Sequence, residues 1–400
     1  MRLLHTSDWH LGRSFHGHST LPHLREVLAA IPAQVEEHSV DVVLVAGDIF
    51  DHAAPAAELY LVLAEAIRGI RAAGAEVVLI SGNHDNAIRL GFQAEWAALG
   101  GVHVLTRPDA FRSPLELSDA HGAVDIYGVP YLEPMLNREL YPGERLREHR
   151  ELLGRVGHEL EELRSQRGNR SVVLSHCFAV NAAAGRDGES VAAAGADLVW
   201  DLTAGGLDLV PASVFAAHDY VALGHLHGRS ELAPNIRYSG APLHFSFGEA
   251  GRPRGSWLVE LTADGLGEVQ WVPLPVPRDL ARIRGRIADL LSSSEYEGAE
   301  ESWVEAVLTD PVRPLDAMRR LRERFPHCAR IEFEPESGEA SERRSYASRV
   351  AERSDEEVVD EFLQHVRNGH GLDAAEREVL AEVLVESRIA LASHRTGGTR

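Results

Sequence analysis

The chain has 400 residues, 44% of them apolar and 25% charged, a balance that suits a globular protein with one large core and one or two smaller bodies. Its formal net charge of −21 argues against a polyanion binder working by broad electrostatic attraction alone. With two cysteines, Cys177 and Cys328, no apolar run near the roughly 20 residues of a membrane span, and no secretory pattern at Met1–His5, a disulfide-free cytoplasmic protein is expected.

Short β-branched runs open the chain. Arg2–His5, Val40–Val45, Ala75–Ile80 and Ala123–Val129 read as strands, followed by Ser171–Leu174, Tyr220–Leu223, Ile236–Tyr238, Trp257–Leu261 and Val269–Leu274. Between the early ones, Leu21–Glu37, Ala56–Ala73 and Ile88–Leu99 have helical period. Alternation of this kind predicts an α/β fold, a mixed sheet with layers on both faces, and the turn signal Ala263-Asp264-Gly265 makes part of it antiparallel. Past residue 276 the pattern changes. Pro273, Pro275 and Pro277 punctuate a connection to a small α+β module with a helix at Leu280–Leu291, a strand at Ser302–Leu308, a helix at Pro314–Arg324 and a strand at Arg330–Phe333. Residues 336–353 are polar and read as a linker. Ser354 with Glu357, and Asp373 with Glu376, have the spacing of capping boxes, so two helices are expected within 354–395.

Five polar clusters each follow a strand-like run: Asp8-Trp9-His10, Gly47-Asp48, Gly82-Asn83-His84-Asp85, Ser175-His176 and Gly224-His225-Leu226-His227. Any one alone is ordinary loop chemistry. Five in order, at strand ends where open α/β sheets bind ligands, read as a two-metal phosphoesterase site. Asp8 and His10, two apart, can chelate one ion, and Asp48 can bridge two ions with its two oxygens. Asn83 offers a neutral oxygen, and His176, His225 and His227 offer nitrogen. If the backbone stays extended, His225 and His227 point the same way. Two dications about 4 Å apart repel by roughly 17 kcal/mol at an effective dielectric of about 20, so histidines alone cannot hold them and carboxylates are required. The mixed oxygen and nitrogen donors favour Mn, Fe or Zn over Mg or Ca. His84, beside Asn83, is placed as the general acid for the leaving oxygen, and Asp85 as a partner that orients an imidazole. The remaining histidines, His149 among them, read as solvated, and Cys177 as core.

Met1–Gly12, Val45–Asp51, Ser81–Asp85, Ala222–His227 and Tyr238–Pro242 together resemble the SbcD family, the nuclease subunits of bacterial SbcCD complexes within the calcineurin-like metallophosphoesterase superfamily. The similarity is close to about residue 275, weaker to about 335, and one of layout beyond. It implies a β-sheet sandwich with helices on its outer faces at 1–276, a capping domain at 277–335, the linker at 336–353, and a helical segment at 354–395 that docks on SbcC, an SMC-like ATPase. It also implies two Mn ions, one held by Asp8, His10, Asp48 and His227, the other by Asp48, Asn83, His176 and His225, with His84 as the catalytic histidine. The implied activity is ATP-dependent 3′–5′ double-strand exonuclease and single-strand or hairpin endonuclease cleavage of DNA, serving repair, replication and recombination. The 40 basic residues are all arginine, so no Gly-x-x-x-x-Gly-Lys loop exists and ATP dependence would come from the partner.

Family members form homodimers, and Leu59-Tyr60-Leu61-Val62-Leu63 is apolar on more sides than one buried stripe needs, marking either a dimer helix or one sunk in the core. The terminal helices likewise either dock on a partner or fold back on their own domain. Two other functions compete. A small-molecule phosphodiesterase would not need the linker and terminal helices. A non-catalytic scaffold dimerising an ATPase would not need ligand types at all seven metal positions. A protein phosphatase reads Gly-Asp-x-x-Asp-Arg-Gly and Gly-Asn-His-Glu, where this chain has Gly-Asp-Ile-Phe-Asp-His-Ala and Gly-Asn-His-Asp.

Overall fold

Residues 1–181, 209–335, 354–366, 371–381 and 383–384 are described by the structure, a computed structural model. They belong to two compact units, Met1–Pro335 and Glu336–Arg400; the expected linker lies outside the described residues.

With strands numbered in chain order, the first six-stranded sheet runs β16-β15-β1-β4-β5-β6. Its strands β1 (Arg2–Thr6), β4 (Val42–Val45), β5 (Glu76–Ile80) and β6 (Val102–Leu105) are parallel, while β15 (Gly255–Thr262) and β16 (Gly265–Pro273) form an antiparallel hairpin on β1. In the second sheet the order is β13-β14-β12-β9-β8-β7. There β8 (Gly122–Val129), β9 (Arg170–His176), β12 (Tyr220–Gly224) and β14 (Ile236–Tyr238) are parallel, flanked by antiparallel β7 (Leu115–Asp119) and β13 (Ser230–Ala233). Two small pairs complete the body: the hairpin β2 (Ser14–Phe15) and β3 (His18–Ser19), and the parallel β10 (Phe178–Val180) and β11 (Leu209–Pro211).

Side-chain alternation turns these sheets into a four-layer sandwich. Leu3, Val42, Leu44, Val78 and Ile80 face Val172, Leu174, Tyr220 and Ala222 across the gap between the sheets. Their neighbours Leu4, Val43, Val45, Val77 and Leu79 pack outward against α1 (Leu21–His38) and α2 (Ala57–Ala72). On the far side Val173, Val221 and Leu223 pack on α5 (His149–Arg167). Strands covered on both faces must be apolar at every position, which is why these runs read as unbroken rather than alternating. Each helix supplies a matching stripe. In α1 it is Leu24, Val27, Leu28, Ile31 and Val35, and in α5 Leu152, Leu153, Val156 and Leu160, started by a Glu148/Glu151 capping box and stopped at Gly168.

The expected helix at Ile88–Leu99 is instead two short ones, α3 (Ala87–Leu90) and α4 (Ala94–Ala98), with Gly91 capping the first. Its apolar period is real but faces outward: Ile88, Phe92, Trp96 and Leu99 are all exposed. Another correction falls at Leu280–Leu291, where a strand, β17 (Leu280–Gly285), precedes a helix at Ile287–Ser292. β17 pairs in parallel with β18 (Trp303–Leu308), which pairs with β19 (Cys328–Phe333). On one face Arg282 meets Glu305 and Glu332, and Arg284 meets Glu334; Ile283 is buried on the other. Pairing across the sheet overrides local helical period. Beyond the expected elements the structure adds α5, the edge strands β6, β7 and β13, and the short strands β2, β3, β10 and β11.

In the second unit both expected capping boxes are made. The Ser354 amide donates to Glu357 at 2.8 Å and the Glu357 amide to Ser354 Oγ at 3.3 Å; the Asp373 and Glu376 amides donate reciprocally at 3.1 and 2.8 Å. Asp360 ties the two helices together through the Leu372 amide and Arg377.

Leu44 is fully buried between the sheets. Leu44→Ala is expected to destabilise the first unit by about 2–5 kcal/mol, read as a lowered denaturant midpoint with an unchanged slope.

Candidate metal centre

All five polar clusters sit where strands end: after β1, β4 and β5 in one sheet, and after β9 and β12 in the other. The loops following β1 and β4 are zipped together. Asp8 N donates to Gly47 O at 3.0 Å, His10 N to Asp48 O at 3.0 Å, and Leu11 N to Ile49 O at 2.9 Å. Trp9 is buried with its indole N–H on Thr6, so Asp8 and His10 project away from the core on either side of it. Leu226 is buried between His225 and His227 in the same manner.

Four of the expected ligands have left-handed backbone: Asp8 (φ 53°), His10 (φ 45°), Asp48 (φ 49°) and His225 (φ 110°). Such residues cost of order 1–3 kcal/mol each and persist only where surrounding contacts enforce them. At His225 the enforcing contact is its amide, which donates to both oxygens of Asp8 at 3.0 and 3.2 Å. The backbone is therefore not extended there, and the rings of His225 and His227 part instead of pointing together. Two glycines permit the approach of the sheets. A Cβ on Gly224 would lie 1.8 Å from Ala46 O, and one on Gly47 (φ 88°) 2.4 Å from His176 Nδ1.

Two groups of side chains result. In the first, His10 Nε2 and His227 Nε2 face each other at 3.1 Å beside Asp8. Their other nitrogens face carboxylates: His10 Nδ1 is 3.3 Å from Asp51 and His227 Nδ1 3.5 Å from Glu249. Burial would raise the Glu249 carboxyl, but His227 and Arg254 outweigh it and bring it down to about 2. When the carboxylates draw protons to both Nδ1 atoms, the two Nε2 lone pairs point at one space, an arrangement that a bound cation satisfies. Ligand atoms on metal bonds of about 2.1 Å at right angles stand about 3.0 Å apart, so the spacing suits a cation.

The second group joins His176, Asn83 and His225. His176 Nδ1 donates to Ala46 O at 2.9 Å, leaving Nε2 3.0 Å from Asn83 Oδ1, which also lies 3.1 Å from His225 Nδ1. Asp48 stands between the groups. Its Oδ2 is 3.6 Å from His10 Nε2 and 3.5 Å from His176 Nε2. The other oxygen, Oδ1, accepts the His84 amide at 3.0 Å, so one oxygen rather than two faces both groups. Asp8, Asp48 and His176, all buried, offer ligand atoms within 4.8 Å of one another.

The electrostatics are those of a cation site. Burial would raise Asp48, yet His176, His10 and His84 hold it well below the usual carboxylate range. Burial would lower His176, yet Asp48 and Asp8 carry it up to about 9. Burial takes His10 down to about 4 and His225 to about 3, leaving both as neutral donors. His84 is half-exposed, and its Nδ1 donates to Asp51 O at 2.9 Å, which leaves Nε2 for a reacting group.

All eight side chains expected at the site are thus brought together. Asp85 does something other than orient an imidazole: it accepts the amides of Ile49, Phe50 and Gly82 at 2.9–3.0 Å and so fixes the loop carrying Asp48. His149 is buried rather than solvated. Cys177 is core, its thiol pushed up to about 12 by burial. Sequence reasoning missed Asp51 and Glu249 as the carboxylates behind His10 and His227, and Arg254, whose guanidinium pairs with Glu249. Asp51 ends the motif Val45–Asp51, whereas Glu249 follows no strand-end signal.

Because a cation must displace the proton that His176 holds below about pH 9, manganese binding near neutral pH is expected to release at least one proton and to tighten as pH rises. Calorimetry in buffers of different ionisation enthalpy checks this; binding with no proton release between about pH 6 and 8 contradicts it.

A family model of the calcineurin-like phosphoesterases matches residues 1–229. A second, for the SbcD C-terminal domain and described as the type 5 capsule protein repressor C-terminal domain, matches residues 276–367. Among solved structures the chain is similar to a dimetal phosphatase from Danio rerio, at 14% identity over 69% of this chain and 99% of that one, with a TM-score of 0.38. It is similar also to GAP50, the anchor in the inner membrane complex of Plasmodium, at 12% identity over 85% of this chain and 99% of that one, with a TM-score of 0.38. Residues 1–229 make up more than half of the sequence and contain every side chain of the two groups, from Asp8 to His227; the chain belongs to the calcineurin-like phosphoesterase family.

Proposed function

We propose that this phosphoesterase is an SbcD-type DNA nuclease subunit, cutting double-strand ends 3′–5′ and single strands or hairpins with two Mn²⁺ ions. What supports it most is the pair of ligand groups meeting at Asp48 Oδ2. The SbcD C-terminal match at 276–367 supports reading the phosphoester as DNA. In this reading Asp8, His10, Asp48 and His227 hold one ion, and Asp48, Asn83, His176 and His225 the other. Oxygen and nitrogen donors together favour Mn over Mg. Bound divalent ions supply Lewis acidity toward the phosphoryl oxygens and lower the pKa of the attacking water.

The chain's own groups do the rest. Asp51 and Glu249 fix the rings of His10 and His227. Asp51 O keeps the Nδ1 proton of His84, so Nε2 delivers its proton to the leaving oxygen and takes one back from solvent. ATP dependence enters through an SbcC-type ATPase docked on the helices of the 354–395 segment, where Val379 and Val383 are exposed. The module at 277–335 caps the DNA path. Among the described residues no helix is long and apolar enough to cross a membrane, and a cytoplasmic site of action follows from the DNA substrate.

End-labelled duplex and hairpin DNA, with and without the ATPase subunit, in manganese or magnesium, tests this reading. Manganese-dependent cleavage, stimulated by ATP only with the partner, is expected, and inert protein under every condition sinks the proposal. His84→Gln is expected to lower kcat about 10²- to 10⁴-fold while manganese and DNA binding hold. Unchanged cleavage removes the proton-donor role.

A homodimer is part of the same reading. Leu59, Val62 and Leu63 belong to the core, but Leu61 is exposed, as are Ile88, Phe92, Trp96 (75%) and Leu99 (84%) on the segment at 88–99. Exposed apolar side chains in this number mark an association surface. Light scattering should give about twice 43.8 kDa for the chain and a monomer mass for Trp96→Glu; a monomeric parent protein contradicts it.

A further inference from the structure

Arg13 is three residues past His10, and its amide donates to His10 O at 2.9 Å, so it rides on the loop that carries the first ligands. Its guanidinium lies 5.1 Å over the ring of Phe245. Phe245 is buried and meets both His10 and His227 edge-on, with centroids at 5.5 and 5.7 Å. The cation is therefore anchored against the confronting imidazole pair, with 27% of its side chain still open to solvent.

Its bonding is incomplete for a purely structural arginine. Among the described residues the one hydrogen bond of its guanidinium runs from Nη1 to Asp51 Oδ1 at 3.3 Å. Charge-assisted pairs close to about 2.7–2.9 Å and are commonly bidentate. Asp51 Oδ1 is shared besides with His10 Nδ1, also at 3.3 Å. A guanidinium has five N–H donors in a fixed fork that matches phosphate. Most of that fork is left over, at the edge of a site built for a phosphorus centre.

Charge counting points the same way. Asp8, Asp48, Asp51, Asp85 and Glu249 bring five negative charges to the centre. Two dications with Arg254 cancel them. With the attacking hydroxide counted, the centre without Arg13 carries one net negative charge, which repels a phosphodiester, and Arg13 removes it.

We infer that Arg13 contacts the non-bridging oxygens of the scissile phosphate, a substrate-gripping residue outside the ligand set. The inference rests on the phosphodiesterase reading above. Arg13→Met keeps the stem on Phe245 and removes the fork; Arg13→Lys keeps the charge and loses the bidentate geometry. With manganese-loaded protein, calorimetry of inorganic phosphate should show affinity falling about tenfold or more in Arg13→Met and less in Arg13→Lys. With bis(p-nitrophenyl) phosphate, KM should rise by a similar factor while kcat moves less than about threefold. Manganese affinity should stay within about twofold, because Arg13 is not a ligand. Unchanged phosphate affinity overturns the inference. So does a loss of phosphate affinity that comes with weakened manganese binding, which makes Arg13 a prop for Asp51 and His10. Parent protein that hydrolyses no phosphodiester brings down the reading of the site itself, whereas an active parent with an indifferent Arg13→Met variant removes Arg13 alone.

Discussion

Two imidazole nitrogens held 3.1 Å apart, each with its other nitrogen against a carboxylate, are the constraint around which this protein is organised. The rings are those of His10 and His227. They stay because Asp51 and Glu249 hold their backs, Phe245 fills the space beside both rings, and the strands beneath are locked in a dry core. The left-handed backbone at Asp8, His10, Asp48 and His225 belongs to the same bargain. Local strain of this kind is kept where it presents side chains to a ligand, and interlocking hydrogen bonds between loops enforce it here.

Neither sheet owns the site. Asp8, His10, Asp48 and Asn83 follow strands of the first sheet, and His176, His225 and His227 strands of the second. The core between Leu44, Ile80, Leu174 and Ala222 sets the separation of the two halves, so packing errors there translate directly into ligand spacing. The carboxylates divide the labour. Asp48 stands between the groups, Asp8 holds the His225 amide, Asp85 fixes the loop of Asp48, and Asp51 serves His10, Arg13 and His84 at once. A cation held at this centre would also stabilise the fold, since it binds the native arrangement of these donors and not the unfolded chain.

Outside the site, partners of opposite charge or exposed apolar surface decide what local period leaves open. β17 has a helical look in sequence, but Arg282 and Arg284 find Glu305, Glu332 and Glu334 only when the segment is a strand. The segment at 88–99 keeps its apolar period while turning it toward solvent.

The sequence by itself determined the strands buried on both faces, because a parallel sheet under two layers needs unbroken apolar runs, and it determined the eight side chains at the site, because metal donors at strand ends stand out against such runs. It also carried the two terminal capping boxes, whose partners lie three residues apart. Tertiary structure alone decided the rest. Which nitrogen of His10 or His227 faces its counterpart, which oxygen of Asp48 faces both groups, and that Glu249 and Arg254 support a histidine some twenty residues upstream are facts of through-space geometry. The edge strands β6, β7 and β13 escaped notice for the same reason: they are half-covered and short, and neighbours distant in sequence make them strands.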